Sequence, residues 1–139
     1  MKKRIDISTY LYVVVIVLVY LMGTAMGLTQ EVITASNFDS KIAKDISVVE
    51  FWADWNKQNQ FNEIVKLKET GKYRVDIMHC TDLQAEYNIT AIPTIIIFDN
   101  GVEKERFNAN IMFQLDADRK TIQNSVDTII LNKFQQYGI

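Results

Sequence analysis

Between Ile7 and Gln30 the chain carries no charged side chain, and the run from Tyr10 to Met22 is almost wholly apolar. Continued to Leu28, it reaches the roughly 20 residues a helix needs to cross a bilayer. Its β-branched residues favour strands in water. In lipid, however, only a helix satisfies its own backbone polar groups within one segment. This run divides the chain into a basic N-terminal segment (1–7), an expected transmembrane helix (8–28) and a folded domain (29–139).

Two readings meet at this segment. A basic start, an apolar stretch and the small-x-small triplet Ala25-Met26-Gly27 fit a cleavable signal peptide. The stretch outruns the about 7–15 apolar residues of a signal core, which favours a retained anchor. Lys2, Lys3 and Arg4 put the N-terminus on the positive-inside face, with the domain across the membrane. Gly23 and Gly27 form a small-xxx-small pair that allows close approach of another helix.

Beyond the anchor, length and charge narrow the choices. A chain of 139 residues suits one small domain with an appendage. Its net charge of −2 conceals an asymmetry: residues 1–29 are net +2, while the remainder holds 12 basic and 16 acidic side chains. An acidic domain without basic clusters argues against nucleic acid as a partner. Cys80 is the sole cysteine and His79 the sole histidine, so neither an intramolecular disulfide nor a Cys- or His-rich metal site is expected.

The domain reads as alternating elements. A short strand near Glu31–Thr34 leads to a helix starting around Ser36–Asp39, with Ser36 as its expected cap. Ile46–Trp52 suits a strand buried on both faces. A helix is expected from about Lys57 to Glu69, stopped at Thr70-Gly71, and then a strand over Tyr73–Ile77. A short helix at Asp82–Tyr87 precedes Ile92-Pro93. The strand Thr94–Phe98 turns at Asn100-Gly101 into Val102–Phe107. Arg119–Phe134 closes the chain as an amphipathic helix that buries Ile122, Val126, Ile129, Ile130 and Phe134. The order β-α-β-α-β-α-β-β-α implies an α/β fold, a mixed central sheet flanked by helices.

Three motifs in order add a resemblance. Val49-Glu50-Phe51-Trp52-Ala53-Asp54-Trp55, then Cys80-Thr81 with Tyr87–Thr94, then Phe98-Asp99-Asn100-Gly101 resemble the thioredoxin-like superfamily. Their wording is similar to its protein-disulfide-isomerase-like domains, and the resemblance implies the thioredoxin-like fold. In that family the second Trp is followed by Cys-x-x-Cys. Here Trp55 is followed by Asn56-Lys57-Gln58-Asn59, and an amide neither ionises to a nucleophile nor forms a mixed disulfide. The resemblance makes Pro93 the family's cis-proline, which adjoins the dithiol in active relatives and presents backbone groups to a peptide. It makes Glu50 the buried acid that assists proton transfer there. Asn56 at a helix start is expected to cap exposed amides, and Lys57 to assist if the turn held an anion. Cys80 is expected to be a buried, inert thiol, and His79 to face solvent.

With both family cysteine positions occupied by Asn56 and Asn59, the expectation is no enzyme, no cofactor, no metal and no small-molecule substrate. The chain is expected to be a membrane-anchored accessory or scaffold subunit held among other subunits of a membrane complex. By analogy, a respiratory-chain complex of the mitochondrial inner membrane is its favoured home. The alternative is a redox-inactive isomerase-like chaperone or peptide-binding module of the ER membrane. The sequon Asn88-Ile89-Thr90 separates the two compartments by its occupancy.

Overall fold

The computed structural model describes residues 7–8, 11–16 and 30–138. Most of the expected span 8–28, with the Gly23/Gly27 pair, lies outside them. Residues 7–8 and 11–16 are helical and exposed. Among the described residues no helix is long and apolar enough to cross a membrane.

The domain is built on a five-stranded sheet of order β1-β3-β2-β4-β5. Its strands are β1 (Glu31–Ile33), β2 (Ile46–Trp52), β3 (Gly71–Asp76), β4 (Thr94–Asp99) and β5 (Val102–Phe107). The first three run parallel, whereas β4 opposes β2 and β5 opposes β4. Alternation along β2 and β4 supplies both faces of the core. Val49, Phe51, Ile96 and Phe98 face one cluster, with Phe38 and Leu83. Val48, Ile95 and Ile97 face the other, with Ile64, Leu67, Ile122 and Val126. The mixed sheet expected from element order is thus present, with helical elements on both faces.

Helices α1 (Phe38–Ile42), α2 (Thr81–Glu86) and α3 (Arg119–Gln136) cover these faces. The cap expected of Ser36 is not made: Asn37 occupies the cap position of α1, and its Oδ1 accepts from the Thr34 amide at 2.8 Å. Helix α3 is capped by Asp118, whose carboxylate accepts from the Thr121 amide at 2.8 Å. Those Thr121 hydrogen bonds hold the Asp118 carboxyl below its ordinary pKa. The β4–β5 turn places Asn100 and Gly101 at φ 49° and 82°, the paired positive angles of a two-residue hairpin. Phe134, expected in the core, is exposed; α3 buries Ile122 and Val126 one turn apart and then diverges.

A larger departure lies between Lys57 and Glu69. The single helix expected there is two short 3₁₀ turns, Asp54–Asn59 and Asn62–Lys66, separated by extended backbone at Gln60. Phe61, Ile64 and Leu67 recur every third residue, and the latter two are fully buried. That period matches the 3.0 residues per turn of a 3₁₀ helix. The interruption has a cause in the core: the amide of Phe61 donates to Glu50 Oε1 at 2.7 Å, so it is not free for a helical ladder.

Candidate functional site

The strand directions bring four segments to one pole of the sheet. Parallel strands β2 and β3 end there, β4 starts there just after Pro93, and β5 ends there. The pole therefore carries the turn 54–59, the Met78-His79 loop, the Ile92-Pro93 peptide, which is cis, and the loop 108–116. Ile77 joins the first two, its amide donating to Trp52 O at 2.9 Å.

Asn56 is the centre of this pole. Its φ/ψ of −112°/24° break the 3₁₀ turn, and only 3% of its surface is exposed. The amide Nδ2 donates to Ile92 O at 3.1 Å and to Phe113 O at 3.0 Å. Its Oδ1 accepts from Asn59 Nδ2 at 2.9 Å. Both donors and the acceptor of one side chain are thus in use, joining the turn, the cis-proline peptide and the 108–116 loop. This corrects the cap expected of Asn56: the turn's cap position belongs to Ala53, and no side chain caps it.

Removing this side chain strands two carbonyl groups. We expect Asn56→Ala to lower stability by about 1–3 kcal/mol in urea unfolding, the cost of leaving partly buried polar groups unpaired. Asn56→Asp should cost at least as much, because a carboxylate would face two carbonyl oxygens. Full stability in both variants would show that the two bonds carry nothing.

Trp55, next to Asn56, is exposed and meets Phe113 edge to face at a centroid distance of 5.4 Å. Phe113 sits at φ 57° in a loop that closes on itself. Asn110 N donates to Gln114 O at 2.8 Å and Phe113 N to Asn110 O at 3.0 Å. Asn110 Oδ1 accepts from the amides of Met112 and Gln114 at 2.8 and 3.2 Å. Sequence reasoning misses this loop, since its contact with Asn56 spans 57 positions. The signal available is Asn110 ahead of the apolar triplet Ile111-Met112-Phe113 in an otherwise polar connection.

Glu50 is fully buried beneath the pole. It stands directly across from Arg74 in the β2–β3 register. Arg74 reaches its Oε2 through Nη2 at 2.7 Å and Nε at 2.8 Å. Gln30 Nε2 also donates to that oxygen, at 3.2 Å. The guanidinium lies 5.3 Å from the centre of the Trp52 ring, a cation–π distance. A carboxylate engaged on both oxygens is held as part of a buried ion pair and turned away from Asn56.

The other candidates are dispersed. Lys57 and Gln58 are exposed. Cys80 is buried and free. His79 is exposed and lies 2.9 Å from Asp76. Among the described residues no group of three or more His, Cys, Asp or Glu could hold a metal ion. A groove of about 650 Å³, walled in part by Ile46, Tyr73, Ile130 and Tyr137, lies at the opposite pole, where β2 and β3 begin.

Comparison with known proteins matches this architecture. A family model described as Thioredoxin matches residues 29–124. Thioredoxin of Mycoplasma genitalium is 37% identical over 70 residues, which are 46% of this chain and 69% of that protein. Thioredoxin-1 of Saccharomyces cerevisiae is 33% identical over 79 residues, 50% of this chain and 75% of that one. Among solved structures, a mutant thioredoxin from Halobacterium salinarum superposes with a TM-score of 0.62 at 16% identity, covering 76% of this chain and 94% of that one. The Malassezia sympodialis thioredoxin superposes at 0.57 and 24% identity, covering 72% and 90%. At these identities the structures establish the fold alone.

The relatives bear the name of a redox protein, and this overturns the expectation that the chain is no enzyme. That expectation rested on two side chains. Amides at positions 56 and 59 remove thiols from one turn, and they do not decide what other groups of the domain can catalyse.

Proposed function

Because the chain belongs to the thioredoxin family, we propose that its domain serves as a membrane-tethered accessory or scaffold subunit of a larger membrane complex. The observation that carries this reading is the engagement of Asn56. In the family this turn holds a dithiol, and the backbone before the cis-proline receives a peptide. Here both slots hold amides, and the Ile92 carbonyl accepts from Asn56. The pole is fixed from within, as suits a surface that holds its shape against a neighbour.

The uncharged run from Ile7 to Gln30 supplies the tether in this reading. The basic residues before it leave the domain on the far side of the membrane. A respiratory complex of the mitochondrial inner membrane is the favoured setting, by analogy with small single-pass subunits. Affinity purification of the tagged full chain in mild detergent tests the proposal. We expect it to co-migrate with other membrane subunits in an assembly of defined size; a lone monomer would sink the reading.

One observation favours a second reading, an isomerase-like chaperone of the ER. Asn88 and Thr90 are both exposed, so the sequon is open on the folded surface. A glycosidase-sensitive mobility shift that Asn88→Gln abolishes would select this reading over the mitochondrial one.

A further inference from the structure

We infer that the loop Asn110–Gln114 is a preformed plug that inserts Ile111 and Met112 into an apolar, basic-rimmed cleft of a partner protein on the side of the membrane that holds the domain. The inference rests on the tethered-subunit reading above and names the surface by which that subunit docks.

The loop is built to present its tip. Ile111 is 96% exposed and Met112 66%, which leaves two large apolar side chains in water. Four hydrogen bonds centred on Asn110 fix the backbone beneath them. A fifth, from Asn56, pins Phe113 O to the turn. Behind the tip, Phe113 rests edge-on against Trp55. A loop fixed in one shape loses little conformational entropy when it binds, so more of its contact energy reaches affinity. The tip projects, so its counterpart must be concave.

Charge and direction choose the occupant. Exposed Asp54, Asp116 and Asp118 flank the patch, with Lys57 the exposed cation of the adjoining turn. An acidic rim is repelled by anionic lipid headgroups and matches a basic-rimmed cleft. Strand β1 runs parallel to β3 toward this pole, so Glu31 faces away from it. The anchor read at 8–28 would leave residues 29 and 30 as the only link to β1. The seven residues of β2 span about 23 Å at about 3.3 Å each. The tip would then stand on the side of the domain remote from its own bilayer, within reach of a protein that rises from the same membrane.

The test uses the tagged full chain in its host membrane, carrying a photo-reactive benzoylphenylalanine at position 111. Illumination should give a discrete adduct to one subunit of the co-purifying assembly, mapped by mass spectrometry to a cleft rimmed by Lys or Arg. In parallel, the Ile111→Ser/Met112→Ser variant should lower the assembly-bound fraction by about tenfold or more, as loss of central apolar anchors does. Leu131→Ser, an equally exposed change on α3, should leave that fraction intact. All three positions are exposed, so each variant should keep the wild-type melting profile. Crosslinking to lipid, crosslinking to a second copy of the chain, or undiminished assembly of the double variant would each overturn the plug. Those outcomes leave the accessory-subunit reading standing, whereas a wild-type chain recovered alone removes both.

Discussion

Replacing Arg74 with leucine is expected to lower the unfolding free energy by about 3–5 kcal/mol, the range for removing one partner of a buried ion pair. Glu50 has no exposed surface, and the Arg74 side chain is 13% exposed, so little water is available to either group. Without the guanidinium, the carboxylate keeps only the Phe61 amide and Gln30 as partners. The double variant Glu50→Gln/Arg74→Leu should recover most of the loss. Its neutral amide oxygen still accepts from Phe61, and no charge is left unpaired. Urea unfolding of the full chain in detergent, followed by tryptophan fluorescence, is a suitable measurement because Trp52 lies under the guanidinium. A loss below about 1 kcal/mol for Arg74→Leu, the range of exposed pairs, would mean that water screens this pair after all.

A second large loss is expected at Phe38. Its ring stands 6.0 Å from Phe51, 5.2 Å from Tyr87 and 5.9 Å from Phe98, centre to centre. It thereby joins α1 to β2, to β4 and to the segment after α2. Phe38→Ala removes the hub of this aromatic group and should cost about 3–5 kcal/mol, as large-to-small core changes do. Phe134→Ala is the control: that side chain is exposed, and its loss should fall within about 0.5 kcal/mol. Equal effects at the two positions would mean that α1 is not a fixed part of the core.

Much of this architecture is legible in the chain because it is written locally. The run Ile46–Trp52, the alternation through Tyr73–Val75 and the Asn100-Gly101 turn each depend on neighbours within a few positions. The motifs around Trp55 and Pro93 locate the pole for the same reason. What escapes depends on partners brought together by register. Glu50 stands out in the sequence, but that Arg74 lies opposite it follows only from the β2–β3 pairing. The Glu50–Phe61 bond then breaks the helix expected over 57–69. Asn56 reads as a cap because Asn favours helix starts. Its true acceptors, at 92 and 113, come from two distant loops.

The Asn59–Asn56 bond has a consequence for where such a domain can work. A turn closed by two thiols changes length, charge and reactivity with the redox poise of its surroundings. A turn closed by two amides, 2.9 Å apart, has the same outline in glutathione-rich and in oxidising fluid. Whatever meets this pole therefore meets one fixed shape, and contacts made there depend on concentration and geometry, with the electron supply of the compartment dropping out of the equilibrium.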